Sequence, residues 1–325
     1  MNMGKQEAVL SSNKNLGNLL RKYGLLIVML IMIIVMSIIS NVFFTADNIL
    51  NVLRQVSING IIALSMTLVI ISDGIDLSVG ALVAVAGTIA GSIITIDESL
   101  VWLAILAALA VTTIFGLING AFIAGFNMPP FVVTLATMTI ARGFGLVYAD
   151  GRPYILSSES FRQIGQGHLG IIPIPVIILV VLIIFSYVLL HHTTFGREIY
   201  AIGGNANTAV MSGVKVKRKR IAVYSINGLF AGISGIILAA RISSGQPAIG
   251  EGYELDAITA VVIGGTSLSG GVGTIAGTVV GFIVIGILNN ALTLLNVSSY
   301  YQDICKGVII LAAVLFDMLN KRGRK

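Results

Sequence analysis

Two acids three residues apart, Asp73 and Asp76 in ISDGIDLSVG (71–80), stand between the apolar runs NGIIALSMTLVI and ALVAVAGTIAG. Carboxylates in such surroundings do one of two things. They hold a proton or ion inside a membrane, where a charge is costly and therefore functional, or they punctuate a turn where the chain leaves the bilayer. Other charges pose the same question. Arg142 lies deep in an apolar stretch with no partner nearby in sequence, whereas Asp303 and Lys306 are three apart and meet on one helical face. Asp76, Arg142, Asp303 and Lys306 are therefore the candidates for pathway or structural charges. Arg54 is placed to snorkel to the outer interface. Glu254 and Asp256 are expected at the outer N-terminal end of a span, where acids favour a helix start. His191 and His192 diverge on a helix, His168 has no acid beside it, and Cys305 is the single cysteine, so no metal site or disulfide framework is expected. No triad or catalytic carboxylate pair is present, and the expectation is a protein that is not an enzyme.

The elements that carry these residues follow from composition. The 325 residues are 56% hydrophobic and 10% charged, with a mean hydropathy of +0.97. Soluble domains carry about 25% charged residues, so the solvent for most of this chain is a bilayer. Glycine is abundant, at 37 residues against 6 prolines, which fits closely packed helices. The reading is an all-α polytopic membrane protein. The basic tail before residue 24 and the long run after it predict an uncleaved first span, not a signal peptide.

With about 20 apolar residues needed per span, ten fall near 24–43, 49–71, 77–96, 100–125, 130–148, 171–191, 221–240, 255–267, 274–295 and 300–319. The eighth is short and glycine-rich, hence bent or broken. The N-tail, the segment 192–220 and the C-tail hold 14 of the 20 lysines and arginines. Ten spans put all three on the cytoplasmic side, as the positive-inside rule requires. The domains are a cytoplasmic tail over 1–23, one transmembrane domain over 24–319 that includes the loop 192–220, and a cytoplasmic tail over 320–325. This charge placement also argues against nucleic acid as a partner. It puts Asp73 and Asp76 at the cytoplasmic turn between spans two and three, where Asp76 suits an N-cap. GTIAG recurs at 87–91 and 273–277 and hints at repeated halves. Glycine series at Gly273, Gly277 and Gly281, at Gly116 and Gly120, and at Gly228 and Gly232 predict close helix contacts, within the chain sooner than between chains.

The loop 192–220 is far longer than its neighbours. Gly203-Gly204 breaks it, Asn205 caps a short helix, and Gly213 ends that helix. Ala206, Ala209 and Ser212 recur at spacing three, a face that another protein can approach closely. KVKRKR (215–220) on its own reads as a solvated basic run that sets topology.

GREIYAIGGNANTAVMSGVKV, ISDGIDLSVGAL, GYELDAITAVVIGGTSLSGGVGTIAGT, LNNALTLLNVSSYYQ and VLFDMLNKR together resemble the permease subunit of ribose-type ABC sugar importers, within the branched-chain amino acid/ribose/galactoside permease superfamily. The resemblance runs from about residue 24 to 319. It implies a type II ABC importer-like permease that works as a homodimer in the bacterial inner membrane, among lipid. It also implies a cytoplasmic ABC ATPase that carries the ATP and Mg, and an extracytoplasmic sugar-binding protein. By that resemblance Gly203, Gly204, Asn205, Ala209, Ser212 and Gly213 line the ATPase contact. The implied cargo is a monosaccharide, D-ribose or a related sugar. The residues themselves add that no G-x-x-x-x-G-K-[ST] phosphate loop is present, so ATP-driven transport needs an ATPase on another chain. The rival is an ion-coupled secondary transporter of a small polar solute.

Overall fold

A computed structural model describes residues 24–322, and the expected tails 1–23 and 323–325 lie outside the described residues. The described residues form thirteen helices: α1 Gly24–Ile39, α2 Ala46–Ile71, α3 Val79–Ile96, α4 Val101–Phe126, α5 Pro130–Tyr148, α6 Glu159–Gln166, α7 Ile174–His191, α8 Thr194–Gly204, α9 Ala206–Met211, α10 Val216–Ile242, α11 Tyr253–Ile263, α12 Ile275–Leu294 and α13 Ser299–Arg322. Two-residue strands form two small antiparallel pairs: β1 Tyr154–Ile155 with β4 Ser244–Gly245, and β2 His168–Leu169 with β3 Ile172–Pro173. Seven of these helices (α2, α3, α4, α5, α7, α10 and α12) are long and apolar enough to cross a membrane. The chain is thus a multi-pass α-helical membrane protein.

The core is a trio. α2, α3 and α10 are mostly buried, while α4, α5 and α7 turn most of their apolar surface outward. That is the pattern of a bundle whose outer helices meet lipid or another protein. Small residues bring the trio together. A side chain at Gly235 on α10 would strike the Val83 carbonyl on α3, and one at Gly228 would strike the Thr112 carbonyl on α4. The α12 glycines serve the same end, since Gly277 and Gly281 lie against the Gly264 and Ala260 carbonyls at the end of α11. All three glycine series therefore pack within the chain.

Two three-helix units repeat with opposite sense. α2 and α10 run antiparallel: Ser234 Oγ donates to the Ile58 carbonyl at 3.0 Å and Ser65 Oγ to Asn227 Oδ1 at 2.7 Å, so the contact climbs one helix as it descends the other. Each is followed by an irregular segment and then a largely buried helix, α3 or α11, and after that by a long helix, α4 or α12. SING stands at 57–60 in α2 and at 225–228 in α10. The third helices close alike, with Asn127 after α4 (φ 53°) and Asn296 after α12 (φ 54°), both left-handed. The GTIAG copies do not mark this repeat. One lies in the middle of α3 and the other straddles the start of α12.

The eighth span is broken as expected: α11 has 11 residues and ends at Gly264 and Gly265. Its start lies inside the bundle, not at an outer end. Gly250, with φ +83°, packs its Cα on the Gly80 carbonyl near the start of α3, so the first turns of α3 and α11 meet. That corrects the placement of Glu254 and Asp256. A helix N-terminus explains the acids, but the N-terminus belongs to a half-helix within the protein.

Candidate functional site

Asp76 is fully buried. Its segment, 74–78, is irregular and returns from the end of α2 into the bundle before α3 begins. Oδ1 accepts from the Ser78 N–H at 2.8 Å and from Ser78 Oγ at 2.5 Å, and Oδ2 accepts from Asn227 Nδ2 at 2.9 Å. Asn119 Nδ2 on α4 donates to Ser78 Oγ at 3.0 Å. The N-cap of α3 is Ser78 and not Asp76 as expected, and the Asp76 carboxylate holds the N–H of that capping residue. It does so among α4 and α10 and not at a surface turn, because Gly74 and Gly80 let the chain re-enter between packed helices. Asp73 is the surface member of the pair. It is exposed and left-handed (φ 64°), 4.0 Å from Arg220. Partial burial raises its carboxyl above the usual range, against the lowering pull of Arg220.

A second buried carboxylate is Asp256 on α11. Asn59 Nδ2 on α2 and Asn289 Nδ2 on α12 donate to its Oδ2, at 3.3 and 3.2 Å. Lys306 Nζ on α13 donates to Oδ2 at 3.4 Å and lies 3.1 Å from Oδ1, a charge contact too bent to count as a second hydrogen bond. Lys306 also lies 3.9 Å from Asp303, the expected neighbour on its own helix. The Asp303–Lys306 pair is present, but the principal partner of Lys306 lies 50 residues away, where no local spacing points.

The two centres correspond. Asn227 on α10 and Asn59 on α2 are the same letter of SING. Asn119 and Asn289 sit at matching places on α4 and α12, and each leaves its buried Oδ1 without a hydrogen bond.

Arg142 is half-buried on α5, beside the buried Ala141 and Gly145, and donates from Nη1 to the Ile249 carbonyl at 2.6 Å. Among the described residues no carboxylate lies within ion-pair distance of it. It thus holds the irregular segment ahead of α11. Near the start of α2, Arg54 Nη2 meets His168 Nε2 at 2.6 Å. Arginine only donates, so Nε2 is the unprotonated acceptor.

The segment 192–220 is more structured than a loop. Thr193 Oγ1 caps α8 by accepting from the Gly196 N–H, and Asn205 Oδ1 caps α9 by accepting from the Thr208 N–H at 3.0 Å. α8 continues through Gly203 and Gly204, and the break comes at Asn205. Gly213, with φ +82°, ends α9 as expected. The basic run is solvated as expected at Lys215, Lys217 and Arg218, which are exposed, although Val216 to Arg220 already form the first turn of α10. Lys219 pairs with Glu198 at 2.5 Å and lies 5.1 Å above the Phe195 ring.

Gly203 packs on the Ile71 carbonyl and the Gly271 N–H, and Ala209 is buried. Gly204, Asn205, Ser212 and Gly213 are exposed, as are Val210 at 58% and Met211 at 90%. The middle of the small-residue face therefore seats α9 on its own chain, and the apolar pair Val210 and Met211 points away. Tyr200 Oη donates to the Gly273 carbonyl at 2.7 Å, and burial raises its phenol. Among the described residues no group of three His, Cys, Asp or Glu is placed to hold a metal ion.

Comparison with known proteins fits this architecture. The chain is 47% identical over 300 residues to the ribose import permease protein RbsC of Bacillus subtilis (strain 168), covering 92% of this chain and 93% of that one. It is 44% identical to the ribose import permease protein RbsC of Haemophilus influenzae, over 97% and 98%. It is 38% identical to the L-arabinose transport system permease protein AraH of Escherichia coli (strain K12), over 97% and 95%. No solved structure matches. Residues 48–314 match the family model described as branched-chain amino acid transport system / permease component, and the chain belongs to that family.

Proposed function

We propose that this chain is the membrane-spanning permease subunit of an ATP-driven ABC importer that carries a monosaccharide, D-ribose first among the candidates. The observation that carries the reading is the 44–47% identity to ribose import permeases along nearly the whole chain. The chain performs no chemistry on the sugar. A separate cytoplasmic ATPase holds ATP and Mg, and an extracytoplasmic sugar-binding protein delivers the cargo. The chain sits in the inner membrane among lipid, crosses it about ten times in the type II manner, with α1, α11 and α13 completing the seven longer spans, and keeps both termini in the cytoplasm.

Two copies enclose the pathway. Of the outer helices, α1, α4 and α7 carry no Asp, Glu, Lys or Arg, whereas α5 carries Arg142 and α13 carries Asp303 and Lys306. Charges within spans avoid lipid and face protein or water, so α5 and α13 are the pathway side. The ATPase docks on α8 and α9 around Gly203, Gly204, Asn205, Ala209, Ser212 and Gly213. Gly203 and Ala209 set the backbone there, while Met211 and Val210 enter the partner.

Reconstitution of the chain with its ATPase and binding protein in proteoliposomes tests the reading. Ribose uptake is expected only with ATP inside the ATPase compartment. Uptake that persists without ATP and collapses with an uncoupler makes the chain an ion-coupled secondary transporter instead. Gly204 has open space around it, so Gly204→Trp inserts normally and is expected to uncouple ATP hydrolysis from uptake, as is Met211→Asp. Normal transport by both variants removes the docking assignment.

A further inference from the structure

α11 joins two places that an importer must connect. Its C-terminal end runs into the segment 264–274, which lies against the docking element: the Gly271 N–H donates to the Ile71 carbonyl at 2.9 Å, Gly203 packs on both groups, and Tyr200 Oη bonds Gly273 at 2.7 Å. Its N-terminal end holds Asp256, whose cationic partner, Lys306, is on α13. Seven residues of rigid helix separate Asp256 from Ile263, about 10 Å at 1.5 Å per residue. α13 packs chiefly on α11, so what moves α11 is felt at α13.

Lys306 has two carboxylates to choose from. The near one, Asp256, is buried and fixed by Asn59 and Asn289. The far one, Asp303 at 3.9 Å, lies on its own helix and is 73% exposed. The ammonium lies within 4 Å of both, and a long lysine stem lets it pass wholly to either without losing a counter-charge; such an exchange would supply the two discrete arrangements that coupling between sites requires.

We propose that the Asp256–Lys306 pair, with Asp303 as the second seat for the ammonium, transmits the state of the cytoplasmic docking element to α13. With the docking element as described, Lys306 sits on Asp256 and α13 is drawn in. When ATP-driven movement shifts the segment 264–274 and α11 with it, Lys306 passes to Asp303 and α13 is released. Lys306 and Asp303 are positioning residues, and neither needs to touch the sugar. The proposal rests on the importer reading.

The chain carries its own reporter. Cys305, beside Lys306, is its single cysteine and half-buried. In the full complex with ATPase and binding protein, maleimide labelling of Cys305 on this chain's band is compared between nucleotide-free and vanadate-trapped states. In the unaltered chain the two rates are expected to differ by about fivefold or more, the low end of measured couplings. Asp303→Asn removes the second seat at an exposed position and leaves the buried pair intact. It is expected to fold normally, to abolish that difference, and to lower uptake per ATP hydrolysed. Asp256→Asn with Lys306→Met removes both buried charges together, and is expected to keep ATP hydrolysis while losing its stimulation by sugar-loaded binding protein. Equal labelling in the two states, or an Asp303→Asn variant that labels and transports like the unaltered chain, overturns the proposal. Failure of ATP-dependent uptake in the unaltered complex overturns the importer reading instead, so the two failures are distinguishable.

Discussion

Asp76, just ahead of α3, and Asp256, in the first turn of α11, are both buried and both reached by the asparagine of a SING copy, and they are held by different means. Asp76 is reached by three neutral donors from Ser78 and Asn227 and has no cation beside it. Asp256 is reached by two asparagines and by Lys306. The first centre lies among α2, α3, α4 and α10, helices that stay packed against one another. The second ties the half-helix α11 to the peripheral α13. A site of neutral hydrogen bonds works where nothing moves, because every donor stays aimed. An ion pair tolerates a changing distance, since charge attraction is less directional than a hydrogen bond. The difference teaches that the same asparagine of SING serves a carboxylate held by neutral donors in one centre and a carboxylate that also carries a charge contact in the other.

The largest expected effect breaks that contrast directly. Asp256→Asn keeps the size of the side chain and removes the buried counter-charge of Lys306, leaving it only the exposed Asp303 at 3.9 Å. Loss of one partner of a buried pair costs about 3–5 kcal/mol, and Asp303 offsets part of that. Asp76→Asn keeps an oxygen to accept from Ser78, and Asn227 can turn its amide to meet the new NH2 group. The cost is that of a weakened buried hydrogen bond, about 1–3 kcal/mol. Thermal unfolding in detergent is expected to rank Asp256→Asn well below Asp76→Asn. Asp76→Asn is also expected to leave the shape of the pH profile of uptake unchanged. If it folds normally and shifts that profile, the carboxylate takes part in proton movement and the scaffold role for Asp76 fails.

A smaller effect separates the two copies of SING. An alanine methyl at Gly228 on α10 would meet the Thr112 backbone carbonyl on α4, which cannot yield without parting the helices. At the matching Gly60 on α2 the methyl would meet side-chain atoms, Leu179 Cδ1 at 3.1 Å and Phe282 rings at 3.2 Å, which can turn aside. Gly228→Ala is therefore expected to destabilise by about 1–3 kcal/mol through overpacking. Gly60→Ala is expected near neutrality, because the better helix propensity of alanine, about 1 kcal/mol, offsets a milder clash. Equal losses at both sites would mean that α2 sits against α7 and α12 as rigidly as α10 against α4.

These contrasts also mark what the sequence made legible. Helix positions followed from runs of apolar residues, because a bilayer-facing helix must announce its length in composition. The cap at Asn205, the stop at Gly213 and the broken character of residues 255–267 followed from local turn chemistry. Partners across helices did not. Asp256 and Lys306 are 50 residues apart and Asp76 and Asn227 are 151 apart, and nothing in local spacing links them. Glu254 and Asp256 looked like the outer end of a span because acids at a helix start look alike whether that start lies at a surface or inside a bundle. The repeat had a usable signal in the two copies of SING, whose asparagines reach the two carboxylates. GTIAG is longer, but its copies fall at points that do not correspond.

The smallest expected effect concerns how the third helix of each unit ends. Asn127 and Asn296 both adopt left-handed backbone, a conformation that costs most L-residues about 1–2 kcal/mol and that asparagine tolerates. After α12 the turn is closed by a Val297 N–H donating to the Leu292 carbonyl at 2.9 Å, the Schellman arrangement. After α4 the chain instead meets Met128, Pro129 and Pro130, and the prolines forbid further helix whatever precedes them. Replacement by glycine removes the backbone strain at either site and is expected to change stability by less than about 0.5 kcal/mol. Replacement by valine restores the strain in full. Asn296→Val is expected to lose about 1–2 kcal/mol, because the hydrogen-bonded turn fixes φ. Asn127→Val is expected to lose less, because the proline stop lets that residue relax without lengthening α4. Equal losses on valine substitution would show that the backbone at Asn127 is held as tightly as at Asn296, and that the two units close their third helices by the same constraint.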